Sequence, residues 1–175
     1  MTRAFVALGA NMPFEGVQGA ELLARATLAL SEVGLAPLAF SGVWQTEAWP
    51  RDSGQPDYFN AVVEVDAGDR TPRELYEVLT GIERRFGRER RERWAPRTLD
   101  LDIIDLEGVT GDVDGIALPH PRMHERAFVL APLAEIAPSW RHPESGLTPE
   151  AMLTGLVDVY AYRRIGDLSS AAKRG

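Results

Sequence analysis

Apolar residues recur along this chain with two different periods, and the switches between them lay out its elements. Residues 4–9 are a short apolar run that reads as a strand. Residues 15–33 follow with Leu22, Leu23, Ala26, Leu30 and Val33 on one side of a helix, until Gly34-Leu35-Ala36-Pro37 breaks the pattern. Residues 38–46 and 58–65 return to strand character, and the Pro/Gly/Asp-rich stretch 49–57 between them reads as a loop. Thr71-Pro72-Arg73-Glu74 is a helix start: Thr71 can cap, Pro72 suits the first helical position, and Glu74 can close a capping box. Leu75, Val78, Leu79, Ile82 and Phe86 keep helical spacing from there until Gly87. A further strand is predicted over 97–104, then a turn and short hairpin over 105–118. Residues 128–136 predict a helix, and Thr148-Pro149-Glu150 opens a last one ending near 159.

The order β-α-β-β-α-β with helical additions is the ferredoxin-like arrangement, an α+β fold with an antiparallel sheet and helices packed on it. A chain of 175 residues suits one domain. It is expected to occupy residues 1–160, with 161–175 as a polar, frayed tail. Such a frame hosts RNA binders, metal chaperones and enzymes alike, so function has to be read from particular residues.

The strand Arg97-Thr98-Leu99-Asp100-Leu101-Asp102-Ile103-Ile104 carries two carboxylates where apolar residues would be expected. Side chains alternate along a strand, so Asp100 and Asp102 share a face, with Cα atoms about 6–7 Å apart. Leu99, Leu101 and Ile103 point the other way, into a core. Paired acids of this kind suit hard divalent cations that in turn hold phosphates. For an Asp-x-Asp alone, a solvated sheet face is the better reading.

Charge changes that balance. The formal net charge is −7, which argues against general nucleic-acid binding. Residues 84–97 nevertheless hold seven arginines and two glutamates, net +5, which leaves −12 for the rest. A basic island in an acidic chain reads as a local anion site, or as a mobile charged loop; a lid over the site would be both. Arg88, Arg90, Arg91, Arg93 and Arg97 supply guanidinium forks that match phosphate geometry. Trp94 among them can stack on a base or anchor the loop.

Other chemistry is excluded or weak. No cysteine is present, which removes disulfides, thiol catalysis and Cys-ligated metal centres. There is no Gly-x-x-x-x-Gly-Lys-Ser/Thr phosphate loop and no dinucleotide-binding glycine pattern. Histidines at 120, 124 and 142 are too scattered for a His-based metal site. No apolar run approaches the roughly 18 residues of a membrane span, and a cytoplasmic protein is expected.

Several side chains bracket the predicted site. Glu83 borders the buried face of the second helix, where it could meet a ligand or simply be solvated. Tyr58 and Asn60 share a strand face, and an aromatic ring beside an amide suits a flat heterocycle, although an ordinary strand start is the better reading of that pair alone. Thr46 and Trp49 border the same loop. His120, held extended between Pro119 and Pro121, and Arg126 could contact phosphates, beside a core-facing Phe128.

Taken together, these stretches resemble one family. Arg93-Trp94-Ala95-Pro96-Arg97-Thr98-Leu99-Asp100-Leu101-Asp102 closely resembles the signature of 6-hydroxymethyl-7,8-dihydropterin pyrophosphokinases of folate biosynthesis. Gln55-Pro56-Asp57-Tyr58-Phe59-Asn60-Ala61 resembles that family's second-loop motif, and Leu118-Pro119-His120-Pro121 through Arg126-Ala127-Phe128-Val129-Leu130 its third. The resemblance covers residues 4–138 and implies transfer of the β,γ-pyrophosphate of ATP to the pterin hydroxymethyl group, with two Mg2+ ions. It implies Asp100 and Asp102 as metal ligands, with Arg88 and Arg97 as phosphate-engaging loop arginines. Glu83, Trp94, His120 and Arg126 would line the ATP site; Thr46, Trp49, Tyr58, Asn60 and Phe128 would form the pterin pocket. Expected partners are ATP and a dihydropterin, with no nucleic acid and no membrane, and a monomer is the working expectation. Two rivals stand beside this: a ferredoxin-like RNA-binding domain, which the charge disfavours, and a two-carboxylate hydrolase, which leaves the arginines unexplained.

Overall fold

The computed structural model describes residues 1–48, 54–87, 98–156 and 161–168. It is an α+β fold built on one antiparallel sheet. Strands β1 (Arg3–Ala10), β4 (Tyr58–Asp66) and β5 (Asp100–Leu106) form its centre and one edge, with β1 between the other two. On the far side of β4 lie β2 (Ala36–Phe40) and β3 (Gly42–Thr46), and β8 (Tyr162–Asp167) pairs with β3 at the other edge.

Each central strand sends alternate residues to opposite faces. Ala4, Val6, Leu8 and Ala10 of β1, Ala61, Val63 and Val65 of β4, and Leu101 and Ile103 of β5 enter one core. Helices α1 (Gly19–Glu32) and α2 (Pro72–Arg85) close it with Leu22, Leu23, Leu30, Leu75, Leu79 and Ile82. Phe5, Val62 and Ile104 point the other way, into a smaller core under α3 (Ala127–Ile136) and α4 (Pro149–Thr154). The α2 capping box is formed: Glu74 N–H donates to Thr71 Oγ1 (3.2 Å), and Thr71 N–H donates to Glu74 Oε2 (2.8 Å).

Four expectations are corrected. The first helix starts at Gly19 rather than residue 15, because Phe14 and Val17 pair across a tight turn with Glu15 at φ 49° and Gly16 at φ 78°, which no helix admits. The single strand expected over 38–46 is two, divided at Ser41. Ser41 N–H donates to the Val62 carbonyl (3.0 Å), and its Oγ accepts from Val62 N–H (2.9 Å), so one side chain completes the ladder at the break. The last helix stops at Thr154, capped by Gly155, short of 159. The tail from 161 is not all frayed: Tyr162–Asp167 is a sheet strand. Its sequence hides it, since an exposed edge strand carries charges that blur the period-2 pattern. The predicted hairpin is β6 (Gly111–Val113) with β7 (Ile116–Leu118).

Candidate active site

The site takes shape where the second sheet face runs out of apolar residues. Strand registers place Asp100 opposite Gly9, Gly9 opposite Asn60, and Asn60 opposite Trp44, a row across four strands. The next row toward the core is Asp102, Ala7 and Val62. Asp100 and Asp102 are partly exposed while Leu101 and Ile103 are buried, so both carboxylates lie on the face predicted. Gly9 keeps the floor of the row low: a Cβ there would lie 3.1 Å from Asn60 Oδ1.

At one end of the row, Asn60 Nδ2 donates to Thr46 Oγ1 at 3.0 Å, and the two residues are 5% and 6% exposed. This bond consumes one donor of the amide and one acceptor of the hydroxyl. Asn60 Oδ1 accepts no hydrogen bond among the described residues, and the Thr46 hydroxyl retains its proton. An open acceptor and donor side by side on two largely buried residues match the edge of a planar heterocycle. Tyr58 stands in register with Thr46. Asn11 ties the end of β1 to the approach of β4, its Nδ2 donating to Gln55 Oε1 and the Pro56 carbonyl, both at 3.4 Å.

At the other end, Arg126 Nη1 lies 3.7 Å from Asp102 Oδ2, and its guanidinium sits 5.5 Å from the centre of the Phe128 ring. Burial lowers the Arg126 pKa, and the Asp102 carboxylate opposes that fall. His120 belongs to the same cluster. Its N–H donates to the Ile104 carbonyl at 2.7 Å, which seats the Pro119–Pro121 segment beside β5. Burial pushes its imidazole below the usual pKa; Asp102 pulls it back up and Arg126 adds to the fall. Its Nδ1 accepts from Arg122 N–H (3.1 Å), so a neutral ring presents Nε2–H as a donor.

Glu83 lies on the buried face of α2 and is not the solvated side chain that was the alternative. It is 6% exposed, on the α2 side of the sheet, and accepts from Leu101 N–H at 2.8 Å. That bond anchors the edge strand midway between the two aspartates. Arg88, Trp94 and Arg97 of the expected lid, and Trp49 of the second loop, lie outside the described residues. Gly87, which opens the basic segment, has φ 76°, and a Cβ there would come 2.7 Å from the Phe14 ring, so both backbone and packing require glycine. Gly9 and Asn11 are not among the site residues the sequence suggests; the alternation of β1 holds the signal for Gly9, which shares a face with Ala7.

The donor set suits Mg2+: two same-face carboxylates, with Asp102 about half exposed at 48%, and no cluster of three acidic or histidine ligands among the described residues. Mg2+ is commonly held by one or two carboxylates with phosphates and waters completing its shell.

Comparison with known proteins places the chain in a family. A sequence profile of the 7,8-dihydro-6-hydroxymethylpterin-pyrophosphokinase family matches residues 5–138. The 2-amino-4-hydroxy-6-hydroxymethyldihydropteridine pyrophosphokinase of Methylorubrum extorquens is 40% identical over 79% of this chain and 84% of its own length. That of Pseudomonas aeruginosa is 38% identical over 86% of this chain and 90% of its own. A Plasmodium falciparum HPPK-DHPS crystal structure superposes with TM-score 0.67 over 87% of this chain at 13% identity, which speaks to fold. This chain spans 44% of that longer one. The chain belongs to the 7,8-dihydro-6-hydroxymethylpterin-pyrophosphokinase family, ATP-dependent diphosphotransferases of folate biosynthesis.

Proposed function

We propose that the polar end of the second sheet face is where this chain moves pyrophosphate from ATP to 6-hydroxymethyl-7,8-dihydropterin. The observation that carries the reading is the row Asp100–Gly9–Asn60, which sets a metal-type carboxylate and a heterocycle-reading amide on one floor, two strands apart. Neighbouring strands lie about 4.8 Å apart, so the two ends of the row stand roughly 10 Å from each other. That span accommodates a pterin and the phosphates it must meet.

In this reading Asn60 and Thr46 read the pterin edge, and Tyr58 and Phe128 flank the ring. Asp100 and Asp102 hold Mg2+, with two ions expected. Bound there, Mg2+ neutralises phosphate charge and polarises the group being transferred. Arg126 and the neutral Nε2–H of His120 face the same space and are placed to bind phosphate oxygens. Glu83 keeps the aspartate-bearing strand in place. Arg88, Arg97 and Trp94 close over the nucleotide as a lid and exclude water, which would otherwise compete as acceptor. Trp49 completes the pterin pocket. The order β5-β1-β4-β3, all antiparallel, supports a ferredoxin-like frame with β2 and β8 added. Cytoplasmic location and a monomeric state belong to the same proposal.

Attack at the β-phosphorus releases AMP. Chromatography of a reaction containing the dihydropterin, ATP and Mg2+ should show AMP in step with pterin pyrophosphate. ADP as the stoichiometric product would contradict the assignment.

A further inference from the structure

A second network adjoins the pterin end of the row. Glu135, on the last turn of α3, accepts three hydrogen bonds: from Gly42 N–H (3.1 Å), from Trp44 Nε1, and from Arg164 Nε (3.1 Å). Arg164 also donates to Asp167. The Arg164 guanidinium lies against Gly42, in the space a Cβ there would enter. Trp44 packs on Tyr162 with ring centroids 5.7 Å apart. One carboxylate therefore ties α3 to β3 and to β8.

The placement of these contacts bears on the site. Trp44 stands in register with Asn60, and Thr46, two residues on, shares its face and accepts the Asn60 hydrogen bond. Helix α3 starts directly after Arg126 and carries Phe128 in its first turn. Glu135 thus joins the far end of that helix to the strand that presents Thr46. An isolated surface ion pair contributes little, but a carboxylate taking three donors from two strands restricts both strands together. Restriction of this kind raises affinity by lowering the ordering cost of binding.

We propose that Glu135, Trp44 and Arg164 form a latch that positions Thr46 and Asn60 for the dihydropterin, which makes β8 a working part of the substrate site although it lies beyond the family-matched residues 5–138. The proposal rests on the functional reading above. These are positioning residues: none of them touches the reacting atoms.

The test is a set of steady-state KM values for dihydropterin and for ATP. Glu135→Ala and Arg164→Ala should each raise the pterin KM about three- to tenfold, leaving the ATP KM and the saturated kcat unchanged. The double variant should be no worse than Glu135→Ala alone, since both break one network. Arg164→Lys should recover part of the loss. Arg163→Ala is the control: it sits on the same strand but donates to Gln45 Oε1 (3.0 Å) on the other face, and should leave the pterin KM alone. Glu135→Gln covers the case in which the alanine variant folds poorly, and should give a smaller rise of the same kind. An unchanged pterin KM in these variants, equal rises for both substrates, or an equal effect of Arg163→Ala would overturn the latch. Absence of pterin-dependent turnover in the unaltered protein would instead overturn the functional reading, and the latch with it.

Discussion

The two faces of the central sheet are built from the same strands but end differently. On the α1/α2 face, β1, β4 and β5 present apolar side chains along their whole length: Ala4, Val6, Leu8 and Ala10, then Ala61, Val63 and Val65, then Leu101 and Ile103. On the other face each strand changes character partway. Phe5 gives way to Gly9, Val62 to Asn60, and Ile104 to Asp102 and Asp100. Helices α3 and α4 cover the apolar half, and the polar half carries the proposed site. One face is thus committed to stability. The other divides its residues between a small core and a polar floor, the proposed ligand site.

That contrast can be broken from either side. The largest effect is expected from Asp102→Ala, with Asp100→Ala close behind: turnover should fall on the order of a thousandfold, as for removal of a group that stabilises transferring charge, while the thermal midpoint hardly changes. Initial rates and a melting curve on the same sample check both halves. On the sealed face, Leu30→Ala empties a fully buried position and should cost about 2–5 kcal/mol in denaturant unfolding, with KM values unchanged in the folded protein. Gly9→Ala should act only on the floor. Its Cβ presses on the Asn60 amide, so the pterin KM should rise roughly three- to tenfold while the ATP KM holds.

The smallest expected effect is on pH. Burial lowers the His120 pKa in the folded chain. Above the ordinary histidine value of about 6.5 both states are neutral, and His120 costs no stability. Below it the unfolded chain takes up the proton first, so the folded state loses stability as pH falls toward the lowered value. His120→Gln should flatten that part of the acid-side decline in metal-free, nucleotide-free protein. A pH–stability curve unaltered by the substitution would remove His120 from the buried cluster.

Much of this was legible from spacing alone. The Asp100/Asp102 pair follows from strand alternation, and the α2 start follows from Thr71, Pro72 and Glu74, because both depend on residues close in sequence. What the sequence hid depends on partners far along the chain. Gly9 matters because β1 runs between β5 and β4, a fact of topology. The sequence shows Glu83 only as a residue bordering a helix face, because its donor, Leu101 N–H, lies 18 residues away. Strand β8 reads as a polar tail because its hydrogen-bond partner, β3, lies more than a hundred residues earlier. The family resemblance implies pterin and nucleotide roles for residues that periodicity alone leaves open.

Backbone amide chemical shifts show whether ligands occupy the polar end of one sheet face. On adding dihydropterin with a non-hydrolysable ATP analogue and Mg2+, the largest shifts are expected at Gly9, Thr46, Asn60, Asp100, Asp102 and His120, with Leu22, Leu30 and Leu75 of the sealed core unmoved. Shifts concentrated along α1 and α2, with Asn60 and Asp102 unchanged, would contradict it.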